Sequence, residues 1–190
     1  EAELGLALDP DADRVAVLVR DLDGRPRRLT GDEVGALLGE WLLADVTAGA
    51  GRLVVSTVVS SSLLARIAAA HGARHEETLT GFKWLSRPAM EHPELRQVLA
   101  YEEAIGYAIG EDARDKDGLS AAVAVASMAS ALRAAGRSPL DLLDDIHRRH
   151  GAHVTENFSL RYEGAGWRER RDATVAALAA SPPERVGDDD

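Results

Sequence analysis

The sequence predicts an α/β fold, with a mostly parallel sheet flanked by helices and followed by a C-terminal linker segment. Short β-branched apolar runs alternate with longer segments of helical periodicity over residues 15–150, which is typical of parallel strands joined by crossover helices. One run, residues 53–59, is almost entirely apolar, as are strands buried on both faces of a parallel sheet. In such sheets, ligands bind beyond the carboxyl ends of the strands.

The first predicted elements lie on either side of an acidic loop. Residues 4–8 and 14–20 predict two strands, and Thr30 with Glu33 has the capping-box spacing of a helix that reaches about Val46. The later elements are, in order, a strand at 53–59, a helix capped by residues 60–62 and reaching 70, a strand at 73–79, a short helix after 80–84, a strand at 97–101, helices at 119–135 and 139–150, a strand at 153–162 and a helix at 167–180.

Composition excludes several classes of function. The 190 residues carry a net charge of −10 and include no Cys. The acidic balance argues against nucleic acid binding, and the lack of Cys excludes disulfides and thiolate chemistry. No long apolar span or signal peptide occurs, so we expect a cytoplasmic protein that does not bind membranes. Only two of the 22 basic residues are Lys, at positions 83 and 116, and both lie inside motifs described below.

The acidic loop alternates three carboxylates, Asp9, Asp11 and Asp13, and then continues with Arg14. Such closely spaced charges repel unless a cation lies among them, and all-oxygen ligation suits Mg²⁺, Ca²⁺ or Mn²⁺. A solvated acidic turn is the simpler alternative. An EF-hand is excluded because Arg14 and Arg20 stand where its Gly and its last Glu would be.

A phosphatase of the haloacid dehalogenase type is a second alternative. In that class an apolar strand ends in Asp-x-Asp, and the first Asp, here Asp9, attacks phosphate. The pattern normally continues with Thr or Val where this chain has Asp13. The remaining roles would fall to Ser56 or Thr57, Lys83, and Glu111 with Asp112.

Four motifs in the same order resemble those of the α-D-phosphohexomutases, the phosphoglucomutase and phosphomannomutase superfamily. They are Asp-Pro-Asp-Ala-Asp-Arg at 9–14, Thr-Gly-Phe-Lys at 80–83, Tyr-Glu-Glu-Ala-Ile-Gly at 101–106 and Asp-Lys-Asp-Gly at 115–118. The first is similar to the family's metal loop, in which Gly more commonly replaces Pro10 and Ala12. The Pro/Ala form resembles the phosphopentomutase branch.

The resemblance implies a role for each motif. Asp9, Asp11 and Asp13 would bind Mg²⁺. Arg14 would contact the phosphoryl oxygens, and Lys116 would lie near the transferring phosphate. The substrate-binding residues would be Thr80, Gly81, Lys83, Glu102 and Glu103. Adjacent carboxylates on extended backbone point in opposite directions, so one of the two Glu residues can face a ligand while the other takes a structural partner.

The implied substrate is a sugar phosphate of the glucose 1-phosphate or ribose 1-phosphate class. In the family's sugar loop a Ser usually follows the two Glu residues, whereas this chain has Ala104. One sugar hydroxyl thus loses a partner, which leaves room for a pentose phosphate.

The resemblance also implies a domain arrangement. Residues 1–14 would end a second domain and form the metal loop, 15–150 would be the sugar-binding third domain, and 151–190 would link to a missing fourth domain. The family's phosphoserine motif, Thr-x-Ser-His-Asn, does not occur in the sequence. We therefore expect a fragment that is inactive as a mutase without the missing domains. A non-catalytic module that binds sugar phosphates is a third alternative.

Overall fold

A computed structural model describes residues 2–45, 51–156 and 159–183. The chain divides into two units, Glu1–Thr155 and Glu156–Asp190. Within the described residues, the first unit contains seven strands and six helices, and the second contains one helix.

An antiparallel three-stranded sheet begins the chain. Its strands are β1 (Leu4–Leu8), β2 (Val15–Arg20) and β3 (Pro26–Arg28), in that spatial order. Leu8 pairs with Val15, so the acidic loop connects the two strands of a hairpin. The two strands at 4–8 and 14–20 are confirmed, whereas the short third strand was not predicted.

The second sheet has the predicted α/β character. Its strands are β4 (Arg52–Thr57), β5 (Arg74–Thr78), β6 (Arg96–Glu102) and β7 (Gly106–Ile109), in the order β5-β4-β6-β7. β4 pairs in parallel with β5 and β6, and β7 is antiparallel to β6. The mostly parallel sheet is confirmed. β7 was not predicted; it follows β6 after only three residues.

The helices are α1 (Gly31–Leu43), α2 (Leu63–Ala70), α3 (Phe82–Leu85), α4 (Arg87–Glu91), α5 (Gly118–Ala134), α6 (Pro139–His150) and α7 (Trp167–Ala180). The predicted capping box of α1 is present, with Thr30 and Glu33 as its partners. The predicted helix end near Val46 lies outside the described residues. No single described helix is long and apolar enough to cross a membrane; α5 and α6 reach that length only together, across a bend of 91°.

The strand predicted at 153–162 is wrong for the residues that the structure describes there. Residues 153–156 and 159–162 form no strand. Val154 is 90% exposed, so this segment has no buried face against which a strand could pack, and strand propensity depends on such packing. The helix predicted at 167–180 is confirmed as α7, in which no residue is buried.

Helix α1 packs closely against the end of β6, the turn that follows it and α2 through a row of glycines. An added Cβ at Gly35 would lie 2.7 Å from the Tyr101 ring, and one at Gly39 would lie 2.5 Å from Leu64 Cδ1. At Gly31 the nearest atom would be the Glu103 carbonyl oxygen, at 2.0 Å. Because α1 presents backbone instead of side chains here, it fixes the position of the carboxyl end of β6.

We expect Gly35→Ala to destabilise the fold by about 1–3 kcal/mol, because the new methyl group overpacks the buried Tyr101 ring. Gly5→Ala is the matched control, since its Cβ would meet only Leu18, at an ordinary 3.4 Å. The control should not destabilise the fold, and removing a glycine from strand β1 should raise the free energy of unfolding by about 0.5–1 kcal/mol. Urea denaturation measures both variants, and equal effects would contradict this account of the packing.

Candidate functional site

The hairpin between β1 and β2 brings its three aspartates together. One carboxylate oxygen each from Asp9, Asp11 and Asp13 lies within 4.8 Å of the other two. A tight turn, in which Ala12 N donates to Asp9 O at 3.0 Å, folds the loop back on itself. The alternating acidic residues therefore form one cluster of oxygen atoms.

The partners of these carboxylates fit a divalent cation. Asp9 accepts hydrogen bonds from the Arg14 backbone N at 3.2 Å and from Arg14 Nε at 2.6 Å. Asp13 Oδ2 pairs with Lys116 Nζ at 2.8 Å, whereas the buried Asp13 Oδ1 accepts no hydrogen bond and lies 3.6 Å from Arg14 Nε. A buried oxygen without a donor is unfavourable, and a hard cation is the natural partner of such a carboxylate cluster.

The two cations of the site have raised pKa values. The hydrogen bond to Asp13 raises the pKa of Lys116, and the hydrogen bond to Asp9 raises that of Arg14. Desolvation raises the pKa of Asp9, but the hydrogen bonds from Arg14 outweigh it and leave this pKa below its ordinary value. All three groups are therefore charged at neutral pH.

Backbone hydrogen bonds hold the acidic hairpin against two other loops. Val15 N donates to Ile105 O at 3.3 Å, and Gly118 N donates to Ala12 O at 3.1 Å. An added Cβ at Gly118 would lie 2.7 Å from Ala12 O, so the close approach requires glycine. The loops that carry the aspartates, Glu102 and Lys116 thus meet at one place.

The two carbonyls in these contacts belong to residues with strained backbone. Ala12 has a φ of 58° and Ile105 a φ of 60°, and no other non-glycine residue in the described chain has a positive φ. The left-handed region is unusual for Ala and rare for a β-branched residue such as Ile. The strain is thus confined to the two points where the acidic hairpin joins its neighbours.

Glu102 and Glu103 have different partners, because Glu102 ends strand β6 and Glu103 begins the turn that follows it. Glu102, which is 9% exposed, accepts a hydrogen bond from Gly81 N at 2.6 Å. Glu103 accepts bonds from Thr57 Oγ1 at 3.3 Å and Ser60 Oγ at 3.4 Å. Glu102 therefore ties the loop before α3 to the carboxyl end of β6.

The other predicted residues of the loop before α3 are less closely tied to the site. Thr80 and Lys83 are exposed, and Lys83 Nζ lies 5.6 Å from the centre of the Trp84 ring. Within the described chain, no hydrogen bond or ion pair joins Lys83 to the aspartates, Glu102 or Lys116. The loop is held through Gly81, whose φ of 111° favours glycine.

Two further residues lie where the loops meet, although the sequence analysis gave them no role. Lys116 Nζ is 5.9 Å from the centre of the Phe82 ring. An added Cβ at Gly106 would lie 3.1 Å from Lys116 Cδ, 3.3 Å from Phe82 and 3.4 Å from Glu102 Oε2. The two residues, Phe82 and Gly106, lie inside the motifs at 80–83 and 101–106. Their place in those motifs is the only sign in the sequence that they belong to this region.

Residues 30–150 match the family described as phosphoglucomutase/phosphomannomutase, alpha/beta/alpha domain III. The chain is 38% identical over 159 residues to a probable phosphoribomutase of Schizosaccharomyces pombe, a match covering 80% of this chain and 27% of that protein. It is also 38% identical over 186 residues to a probable phosphomannomutase of Haemophilus influenzae, covering 97% and 36%. The chain thus spans about a third or less of the length of these relatives.

A solved structure shares the fold. It is the Aspergillus fumigatus N-acetylphosphoglucosamine mutase in complex with GlcNAc-6P and magnesium. The match has a TM-score of 0.57 at 18% identity and covers 74% of this chain and 35% of that one. At this identity the likeness concerns the fold alone.

We expect Ala12→Gly to stabilise the protein by up to about 1 kcal/mol, because Gly adopts a positive φ without steric cost. Ala7→Gly, on the extended strand β1, is the matched control and should destabilise by about 0.5–1 kcal/mol. Thermal unfolding measures both variants. A lower midpoint for Ala12→Gly would show that the left-handed backbone at this position carries no strain.

Proposed function

Because the chain belongs to the phosphoglucomutase/phosphomannomutase family, we propose that it supplies the metal-binding and sugar-binding loops of a phosphomutase. Such an isomerase moves phosphate between the hydroxyls of a sugar through a phosphoserine and a bisphosphorylated sugar. The observation that carries the proposal is the meeting of the aspartate cluster, the Glu102 turn and the Lys116 loop at one edge of the sheet.

The aspartate cluster is the proposed Mg²⁺ site, with Asp9, Asp11 and Asp13 as ligands. The buried Asp13 oxygen without a hydrogen bond supports this assignment. When bound, the ion would supply positive charge to the oxygens of the transferring phosphoryl group.

Arg14 and Lys116 are the proposed catalytic residues. Arg14 pairs with Asp9 through Nε and remains 47% exposed, so its other nitrogens can reach a ligand. Lys116 is protonated at neutral pH, as an ordinary lysine is, and the hydrogen bond to Asp13 raises its pKa further, so it can donate a hydrogen bond to a phosphoryl oxygen. Fixed positive charges that face developing negative charge are the main source of catalysis in phosphoryl transfer.

Glu102 is the proposed sugar contact. Its Oε1 accepts from Gly81 N, and its Oε2 lies beside Gly106, close to Lys116 and Phe82; there it would accept a hydrogen bond from a sugar hydroxyl. Thr80, Gly81 and Lys83 would complete the substrate site on one side. Glu103 would contribute by fixing the turn, since its carboxylate is bound by Thr57 and Ser60.

The proposed nucleophile is a serine supplied by other domains of the same enzyme, since the family's phosphoserine motif does not occur in this sequence. The isolated chain would then bind metal and sugar phosphate without turnover. The phosphatase alternative is less favoured, because Asp13 stands where that pattern normally continues with Thr or Val.

We expect the chain to bind Mg²⁺ and then a sugar phosphate, with amide chemical shift changes at Gly81, Gly106 and Lys116. Asp13→Asn should weaken Mg²⁺ binding at least about tenfold, because it removes charge and a ligand oxygen. Asp23→Asn, in the acidic turn between β2 and β3, should leave it unchanged. Calorimetry and NMR titration measure these affinities, and equal Mg²⁺ affinity for both variants would exclude the proposed metal site.

The substrate is proposed to be a pentose phosphate in preference to a hexose phosphate, because Ala104 is exposed beside Glu102 and offers no hydroxyl. Ala104→Ser should raise the affinity for glucose 1-phosphate relative to ribose 1-phosphate by about fivefold, the effect of one added hydrogen bond. Ala134→Ser, at the exposed end of α5, is the control. An unchanged ratio of the two affinities would remove Ala104 from the specificity argument.

A further inference from the structure

A buried carboxylate on α1 has no part in the chemistry proposed above. Asp32 is only 7% exposed, and no Lys, Arg or His of the described chain pairs with it. Its Oδ1 accepts hydrogen bonds from Ser61 N at 2.8 Å and the Tyr101 hydroxyl at 2.9 Å. Its Oδ2 accepts one from Thr155 Oγ1 at 2.5 Å. Burying a charge without a cation is costly, so these three donors are its compensation.

One of these donors, the Tyr101 hydroxyl, belongs to the residue next to Glu102. Tyr101 immediately precedes Glu102 on β6 and is 1% exposed. Burial raises the pKa of Tyr101, and the charge of Asp32 raises it further, so the phenol remains a donor. The bond from Tyr101 to Asp32 therefore fixes the position of the β6 residue that directly precedes Glu102, the proposed sugar contact.

Another donor, the backbone N–H of Ser61, belongs to the residue next to one that binds Glu103. Ser61 donates its backbone N–H to Asp32, and the preceding Ser60 donates its hydroxyl to Glu103 Oε2. Ser60 Oγ also lies 2.8 Å from Thr57 Oγ1. Asp32 thus holds the loop whose side chains bind the second carboxylate of the turn.

The backbone of α1 also contacts the Glu102–Glu103 turn. An added Cβ at Gly31 would lie 2.0 Å from Glu103 O, and the Tyr107 hydroxyl donates to Gly31 O at 3.4 Å. The N-terminal turn of α1, which carries Asp32, is therefore in contact with both strands of the β6–β7 hairpin.

We propose that Asp32 is a positioning residue for the Glu102–Glu103 turn, acting through Tyr101 and through the loop of Ser60 and Ser61. This inference rests on the proposed function, because it takes Glu102 as the contact to the sugar. Thr155, the third donor, comes from a segment outside the turn and serves only to complete the bonding of the carboxylate.

The test compares variants that each remove one hydroxyl bonded to Asp32. Tyr101→Phe removes the hydrogen bond to Asp32 from the residue that precedes Glu102, and Thr155→Ala is the matched control. The first measurement is hydrogen exchange at the Gly81 amide, which donates to Glu102 Oε1 and so reports the position of that carboxylate without a ligand. The others are the affinities for Mg²⁺ and ribose 1-phosphate and the urea midpoint of unfolding.

Tyr101→Phe should speed Gly81 exchange and weaken ribose 1-phosphate binding by about tenfold each, with Mg²⁺ affinity within about twofold of the parent. Thr155→Ala should lower the urea midpoint yet leave Gly81 exchange and sugar phosphate affinity within about twofold. If Tyr101→Phe does not fold, Asp32→Asn takes its place, with a smaller change in the same direction because the amide retains one acceptor oxygen.

Two results would overturn the proposal. One is Gly81 exchange in Tyr101→Phe equal to that of the parent. The other is an equal change in Tyr101→Phe and Thr155→Ala, since that would be general destabilisation. A parent chain that binds no sugar phosphate would overturn the proposed function instead, while Gly81 exchange would still support or overturn the positioning by Asp32.

Discussion

The site depends on backbone hydrogen bonds that join the acidic hairpin to the turn between β6 and β7 and to the first residue of α5. Ile105 O and Ala12 O accept these bonds from Val15 N and Gly118 N. Both acceptors have left-handed backbone, a conformation that persists only where the surrounding structure holds it. The two strained residues are therefore the points at which three loops, distant in the sequence, are hydrogen-bonded to one another.

Charge balance is the second constraint on this region. The three aspartates and Glu102 bring four carboxylates to one volume, with Arg14 and Lys116 as their cations. Repulsion among the remaining negative charges is reduced by a bound cation. The site thus combines a negative cluster suited to a metal ion with two cations suited to phosphate, and the close contact of Lys116 with Asp13 keeps the two adjacent.

Much of this could be predicted from the sequence, because local patterns encode it. Alternating apolar and helical segments predicted the parallel sheet, and the four motifs lie in loops that the fold brings together. The antiparallel pairing of β7 and the network around Asp32 could not be predicted, since Asp32, Ser61, Tyr101 and Thr155 are brought together only by folding. The strand predicted at 153–162 failed for a related reason: its apolar residues have no sheet to pack against.

The loops are tied by main-chain atoms, while Ala104 projects from the turn into solvent. Hydrogen bonds between main-chain atoms survive most changes of side chain. The bonds that join the loops and the side chain at position 104 can therefore vary separately. If the chain acts as proposed, the residue at position 104 can change, and with it the sugar that is accepted, while the main-chain bonds that join the loops stay the same.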